Sequence, residues 1–370
     1  MIFKLRRPDA DIAWKNPEIL KRFSRYHGII DNTQTARYII AKTVECDFNS
    51  DDSIENLEKL LKQKSKEFKK ILNEDINSQR NRKIQEKSYI HLSETIAYKY
   101  LEDCKFCERR CGVNRIQGEK GFCQLDKDIF VSSAFLHWGE ESVLVPSGTI
   151  FFTGCNFGCV FCQNYDISNA WKGRRKIEDI AQKVDGKSLA AIAQKLVENG
   201  GINVNWVGSD PIPCLHLILE SLLYQNINIT QLWNSNFYLT EESLDLIIDF
   251  MDFWLPDLKY GNNKCAEKYS GIKNYWEVLT RNLKKIHEDG SGEIIIRHLV
   301  MPNHVECCSK PILDFIAKEV PKSVVNIMGQ FRPEYKSNQY PEINRRPTSS
   351  EIQQVKKYAD KLDILYEPVS

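Results

Sequence analysis

From residue 149 onward, short apolar runs rich in β-branched and aromatic residues alternate with helical patterns. The runs are Thr149–Gly154, Asn203–Val207, Asn228–Trp233, Phe253–Leu258, Glu293–Val300 and Ser323–Met328. Among them, Ser188–Glu198, Pro213–Tyr224, Thr240–Phe250, Tyr275–Glu288 and Lys310–Glu319 carry apolar residues at helical spacing. Thr240 followed by Glu241 and Glu242 suits a helix start, and Thr348 with Glu351 three residues on predicts a capping box for the last helix. Strands joined by helical crossovers imply a parallel sheet with right-handed connections. Unbroken apolar strands suit a sheet covered by helices. Six units are too few to close an eight-stranded ring, so the predicted fold is α/β, an open partial (β/α)6 barrel over residues 145–335. A loop and helix follow over 336–370. Sites in such folds gather at the C-terminal ends of the strands.

The first hundred residues have a different pattern. Asp51 to Tyr100 is dense in Lys and Glu and holds neither Gly nor Pro. Ile54, Leu57, Leu61, Phe68, Ile71 and Leu72 recur at helical spacing, and Asp52 with Glu55 offers a cap. Residues 1–100 are therefore expected to be a helical extension packed on the barrel, its charged face solvated.

Charge changes the picture by exclusion. Lys and Arg number 51 against 50 Asp and Glu, a net +1, so the balance does not call for nucleic acid or an anionic membrane. No apolar run is long enough to span a bilayer, and Met1 to Pro8 lacks the apolar stretch of a secretory signal. Twelve cysteines in clustered spacings read as metal ligands in a reducing cytoplasm rather than as disulfides.

The cysteines form two groups. Cys155, Cys159 and Cys162 follow the first strand with spacing C-x3-C-x2-C. Three thiolates can each hold one iron of a cubic cluster, whose customary complement is four; the remaining iron is then open to a small molecule. Cys104, Cys107, Cys111 and Cys123 lie in a Cys-rich segment over 101–135, with Gly112, Gly118 and Gly121 between them. Four such ligands can close a tetrahedral zinc site or hold a second Fe–S cluster. Cys46, Cys214 and Cys265 are isolated. Cys307-Cys308 follows the fifth strand, where one thiol can face substrate, although neighbouring residues rarely ligate one metal together.

Each strand end also supplies polar groups: Gly208-Ser209-Asp210 after the second, Asn234-Ser235-Asn236 after the third, Asp257 and Lys259 at the fourth, Arg297 and His298 in the fifth, and Gln330 and Arg332 after the sixth. Asn234, Ser235, Asp257 and Lys259 suit a ribose and a carboxylate. Arg297 and His298 point to opposite faces of a strand; Arg297 is the first choice for an anion contact and His298 for a satisfied core residue.

The three-cysteine spacing, with Phe161 before its last member, resembles the signature of the radical S-adenosylmethionine (SAM) enzymes. Gly118-Glu119-Lys120-Gly121-Phe122-Cys123, Gly148 to Cys155, Cys162-Gln163-Asn164-Tyr165, Asp257-Leu258-Lys259, Ile296 to Pro302, Arg332-Pro333-Glu334-Tyr335 and Tyr340 to Arg346 are similar to the pyruvate formate-lyase activating enzyme-like branch. The resemblance implies a [4Fe-4S] cluster on Cys155, Cys159 and Cys162, with SAM chelating the open iron. One electron then breaks a sulfonium C–S bond and gives methionine and a 5′-deoxyadenosyl radical. Gly208, Ser209 and Asp210 look like a shortened, acidic form of the family's Gly-Gly-Glu motif, its backbone approaching the methionyl amine. Asn234, Ser235, Asp257, Lys259 and Arg297 complete the expected SAM contacts. The resemblance further implies an external electron donor (flavodoxin or ferredoxin) and a polypeptide substrate, a backbone glycine of a partner enzyme. The competing readings are another peptide or small-molecule modification, or a zinc-binding scaffold without catalysis.

Overall fold

The structure is a computed structural model that describes residues 7–168, 176–290 and 292–366. The final four positions of the 336–370 segment and most of Met1–Pro8 therefore lie outside the described residues. Among the described residues, eight strands form one sheet: β1 Ile129–His137, β2 Ser147–Phe152, β3 Gln182–Val184, β4 Asn203–Gly208, β5 Thr230–Ser235, β6 Phe253–Leu258, β7 Glu293–Leu299 and β8 Val324–Met328. Their order is β3-β1-β2-β4-β5-β6-β7-β8. The strands from β2 through β4 to β8 are parallel, and they are the six apolar runs of the sequence. The sheet is extended by β1 and β3, which pair antiparallel at the β2 edge.

Helices Gly186–Glu198, Leu215–Tyr224, Glu241–Ile247, Tyr275–Asp289 and Lys310–Glu319 cover the outside. Thr240 caps its helix by accepting from Ser243 N at 3.2 Å, and the Thr348–Glu351 capping box forms. The long N-terminal helix, Ile54–Leu72, starts one residue later than Asp52 suggested: Ser53 is its cap, accepting from Asn56 N at 3.4 Å.

Residues on one face of each strand repeat every second position and divide the barrel interior into layers. At the bottom, Leu232, Phe253, Leu255, Ile295 and Val324 pack with Ala13, Ile19, Phe23 and Tyr26. The N-terminal chain thus seals the lower mouth. Glu293 fixes it by accepting from Arg25 N at 2.8 Å and Tyr26 N at 2.9 Å. Residues 37–100 pack on the outer helices, with Tyr89 against Phe250 and Arg37 paired to Asp249 at 3.5 Å.

Above the apolar floor lies a polar layer. Arg297 donates to Glu141 at 2.7 and 2.9 Å, to Glu140, and to Asn234 at 3.2 Å. Asn326 donates to Glu141 at 2.8 Å and Asn205 to Glu140 at 3.1 Å. Burial opposes charge on Glu140, but Arg297 and His137 outweigh it and hold the carboxyl well below its ordinary range.

His298 faces the other way. Its Nδ1 lies 2.8 Å from Leu258 O and its Nε2 2.8 Å from Ser309 Oγ. These partners suit a neutral ring in which Nδ1–H donates and Nε2 accepts. Burial pushes its pKa down to about 4, whereas an unfolded histidine titrates near about 6.5. Between those values the unfolded chain binds more protons. The stability His298 contributes is therefore present above pH ~6.5 and lost as pH falls toward ~4. His298→Gln should flatten the fall of melting temperature over that window; a slope identical to the parent's would contradict this assignment.

Candidate functional site

A cavity of about 260 Å³ opens above the polar layer, at the C-terminal ends of the parallel strands. Cys155, Cys159 and Cys162 line it. So do all eight positions expected from sequence to contact a cofactor: Gly208, Ser209, Asp210, Asn234, Ser235, Asp257, Lys259 and Arg297.

The cysteine loop begins at Gly154, whose φ of +79° and approach to Cys123 O exclude a side chain: an added Cβ would stand 2.7 Å from that oxygen. Cys155 accepts from Phe157 N at 3.3 Å. Cys159 accepts from Ser270 Oγ at 2.9 Å, and Cys162 lies 3.8 Å from Ser168 Oγ. Burial raises all three thiol pKa values, that of Cys159 to about 11. Metal ligation would therefore displace protons. Lys259, paired with Asp257 at 2.6 Å, lies close enough to Cys159 and Cys162 to favour their thiolates.

The spacing of the thiols bears on what they can hold. Sulfurs bound to one tetrahedral ion stand about 3.8 Å apart, from a metal–sulfur bond of ~2.3 Å. Among the described residues, Cys265, Cys307 and Cys308 are the group whose ligand atoms all lie within 4.8 Å of one another.

The loop after β4 lies tight against β2. Gly208 has φ +119°, and a Cβ there would lie 2.1 Å from Phe152 N and 2.6 Å from its oxygen. Gly208→Ala should lower stability by about 1–3 kcal/mol, because the strain must be relieved by moving the loop. Urea unfolding checks this, and a parental midpoint would contradict it. Asp210 is already used within the protein: its carboxylate accepts from Ile212 N at 2.9 Å and Asn236 N at 2.8 Å. Burial nevertheless pushes its pKa up to about 7. Ser209 Oγ and Asn234 Nδ2 are buried and lack a hydrogen-bond partner among the described residues. Both belong to residues lining the cavity, so a polar ligand there would satisfy groups that are otherwise costly to bury.

Arg297 lines the floor of the cavity, but its guanidinium is engaged by Glu140, Glu141 and Asn234. An exposed guanidinium stands at the rim instead, on Arg332. Asn236, Gln330 and Arg332 join the lining from strand-end loops whose polar residues are visible in the sequence, although sequence alone does not select them as contacts. Cys307 and Cys308 do not line this cavity; Asn262 Nδ2 donates to Cys307 O at 2.7 Å.

Cys104, Cys107, Cys111 and Cys123 surround a separate cavity of about 20 Å³, together with Arg115 and Asn156. Burial raises the Cys107 and Cys123 thiol pKa values. Arg115 Nη1 lies 3.9 Å from Cys104 Sγ, and Asn156 Nδ2 is a buried donor without a partner among the described residues. The two cysteine groups adjoin through Gly154 against Cys123 O and Gly158 facing the Phe122 ring.

A parallel sheet with a three-cysteine loop after its first parallel strand and a polar cavity above it defines a class. The chain belongs to the radical SAM superfamily, whose family model matches residues 149–316. Its relatives include an uncharacterized protein of Methanocaldococcus jannaschii, 43% identical over 352 residues, covering 94% of this chain and all of that one. Among solved structures, a radical SAM methyltransferase of Sphaerobacter thermophilus aligns with TM-score 0.46 and 10% identity, over 86% of this chain and 93% of its own. Streptococcus suis SuiB aligns with TM-score 0.41 and 13% identity, over 60% of this chain. The match spans about half of the SuiB chain, 47%. The superfamily implies a [4Fe-4S] cluster and SAM. Among the described residues, no helix is long and apolar enough to cross a membrane.

Proposed function

We propose that Cys155, Cys159 and Cys162 hold the [4Fe-4S] cluster and that SAM lies in the adjoining cavity. The observation that carries this reading is the convergence of three thiols, Cys155 buried and Cys159 and Cys162 half-buried, and eight strand-end residues on one space of about 260 Å³. Bound there, cluster and SAM supply one-electron cleavage of a sulfonium C–S bond and abstraction of hydrogen from a substrate. The chain's part is to bind and orient. Ser209 and Asn234 offer unpartnered polar groups to SAM, with Gly208 keeping the backbone close and Ser235 beside Asn234. The Asp257–Lys259 pair brings charge to the ribose and carboxylate side. Arg297, neutralised by two glutamates, shapes the floor and holds Asn234 in place. Ser270 steadies Cys159.

The second cysteine group is proposed as a closed four-thiolate metal site, zinc or Fe–S, beside the barrel. The substrate proposed is a polypeptide, foremost a backbone glycine of a partner enzyme, with a flavodoxin or ferredoxin as electron donor in the cytoplasm. The open sheet supports a large substrate: β3 and β8 stand at opposite ends of the strand order, so the sheet does not close into a ring. Residues 1–100 are proposed as a helical support rather than a catalytic unit. The test is to mix reduced, SAM-loaded protein with glycyl-radical enzymes of the same genome and record electron paramagnetic resonance. A protein-centred glycyl doublet is expected. SAM turnover without such a signal on any of them would remove the activase reading and leave the SAM chemistry standing.

A further inference from the structure

Three cysteines outside the lining of the cofactor cavity meet one another. Cys265 lies in the helix Asn263–Ser270 after β6, and Cys307 and Cys308 lie in a π-helical turn, Val305–Ser309, after β7. More than forty positions separate Cys265 from the pair, yet their sulfurs all lie within 4.8 Å of one another. Cys307 Sγ and Cys308 Sγ are 3.8 Å apart, close to the edge of a tetrahedron of sulfurs around an ion at ~2.3 Å. Consecutive side chains ordinarily diverge by about 100° along an α-helix; the wider π turn, a feature frequent at functional sites, permits both to face one point.

The surroundings hold this arrangement in place. Asn262 caps the helix by accepting from Cys265 N at 2.9 Å, and its Nδ2 donates to Cys307 O at 2.7 Å and lies 3.7 Å from Cys308 Sγ. Gly261 admits the close approach: a Cβ there would stand 2.6 Å from Cys308 O and 2.8 Å from its Cα. His298 pins the end of the turn through Ser309. The ring of His304 has Nδ1 2.6 Å from Pro302 O, and its side chain interacts with Cys265. Cys308 is buried, Cys265 half-buried and Cys307 exposed, so the group is reachable from solvent on one side.

We propose that Cys265, Cys307 and Cys308 form a further metal site that binds one thiophilic divalent ion, zinc foremost, with His304 or water as fourth ligand. Three soft thiolates and an imidazole are a donor set that selects zinc over hard cations. The ion would join the loops after β6 and β7. It would also brace the cysteine loop of the cofactor site, because the same helix ends at Ser270, whose hydroxyl donates to Cys159 at 2.9 Å and whose carbonyl accepts from Gly158 N at 3.0 Å.

The test uses full-length protein, purified anaerobically and loaded with iron. In a Cys104→Ala, Cys107→Ala background, which disables the four-cysteine group, one equivalent of zinc should remain, and absorption spectroscopy at the zinc edge should find about three sulfur neighbours near 2.3 Å. Adding Cys265→Ser and Cys308→Ser should remove that zinc and leave the iron, whereas Cys46→Ser should change neither. In unsubstituted protein, zinc should protect Cys265 and Cys307 from iodoacetamide, and a chelator should expose both, as read by mass spectrometry; this needs no variant to fold. Zinc content indifferent to Cys265 and Cys308, labelling indifferent to zinc, or a Cys265–Cys308 disulfide in protein kept reduced would each overturn the proposal.

Discussion

Cys159→Ala is expected to abolish SAM cleavage and to release the iron held by the three-cysteine loop. The rate of 5′-deoxyadenosine formation should fall by about a thousandfold or more, equivalent to at least ~4 kcal/mol of lost transition-state stabilisation. The reason is geometric: the three thiols line the cavity with no fourth cysteine among its lining residues to replace one of them. The neighbouring substitution separates ligation from support. Ser270→Ala removes only the hydroxyl that donates to Cys159 at 2.9 Å. By analogy with other groups that orient a metal ligand, it should cost about 10–100-fold in activity or cluster affinity and alter the reduced cluster's resonance spectrum. Iron analysis, product chromatography and electron paramagnetic resonance on both variants check the pair. Full iron content with full turnover in Cys159→Ala would contradict the site.

The second large effect concerns the polar layer beneath the cavity. Arg297→Met should destabilise the fold by about 3–5 kcal/mol, because it leaves Glu141 buried without its counter-charge and Glu140 with His137 alone. The two carboxylates also accept from Asn205 and Asn326, so the loss should spread across four strands. Glu141→Gln added to Arg297→Met should recover part of the stability, since one unpaired charge disappears. Urea unfolding of the three proteins reads this directly. An unfolding midpoint in Arg297→Met equal to the parent's would mean that the charges are solvated, not buried.

These pairings also mark the limit of what sequence discloses. The six parallel strands were legible because each is a short apolar run between turn signals. The hydroxyls, amides and charges after those runs were legible as the lining of one cavity because parallel sheets deliver their strand ends to one rim. β1 was not: it follows Ile129-Phe130-Val131 with Ser132 and Ser133, and its middle is exposed at an edge of the sheet, so its pattern is neither fully buried nor strictly alternating. The three-residue β3 is too short to carry a period. Arg297 was legible as an interior residue, but its partners Glu140 and Glu141 are more than 150 positions earlier. Sequence spacing could not reveal that the guanidinium is already engaged, or that Arg332 stands exposed at the rim. The same long-range closure hides the meeting of Cys265 with Cys307 and Cys308, each bland by itself.

SAM cleavage at the three-cysteine cavity is tested most directly by reconstituting the protein anaerobically with iron and sulfide, reducing it with dithionite in the presence of SAM, and measuring 5′-deoxyadenosine and methionine by chromatography. Both products are expected in equal amounts, from the parent and not from Cys159→Ala. A protein with an intact, reducible cluster that releases neither product and binds no SAM would contradict it.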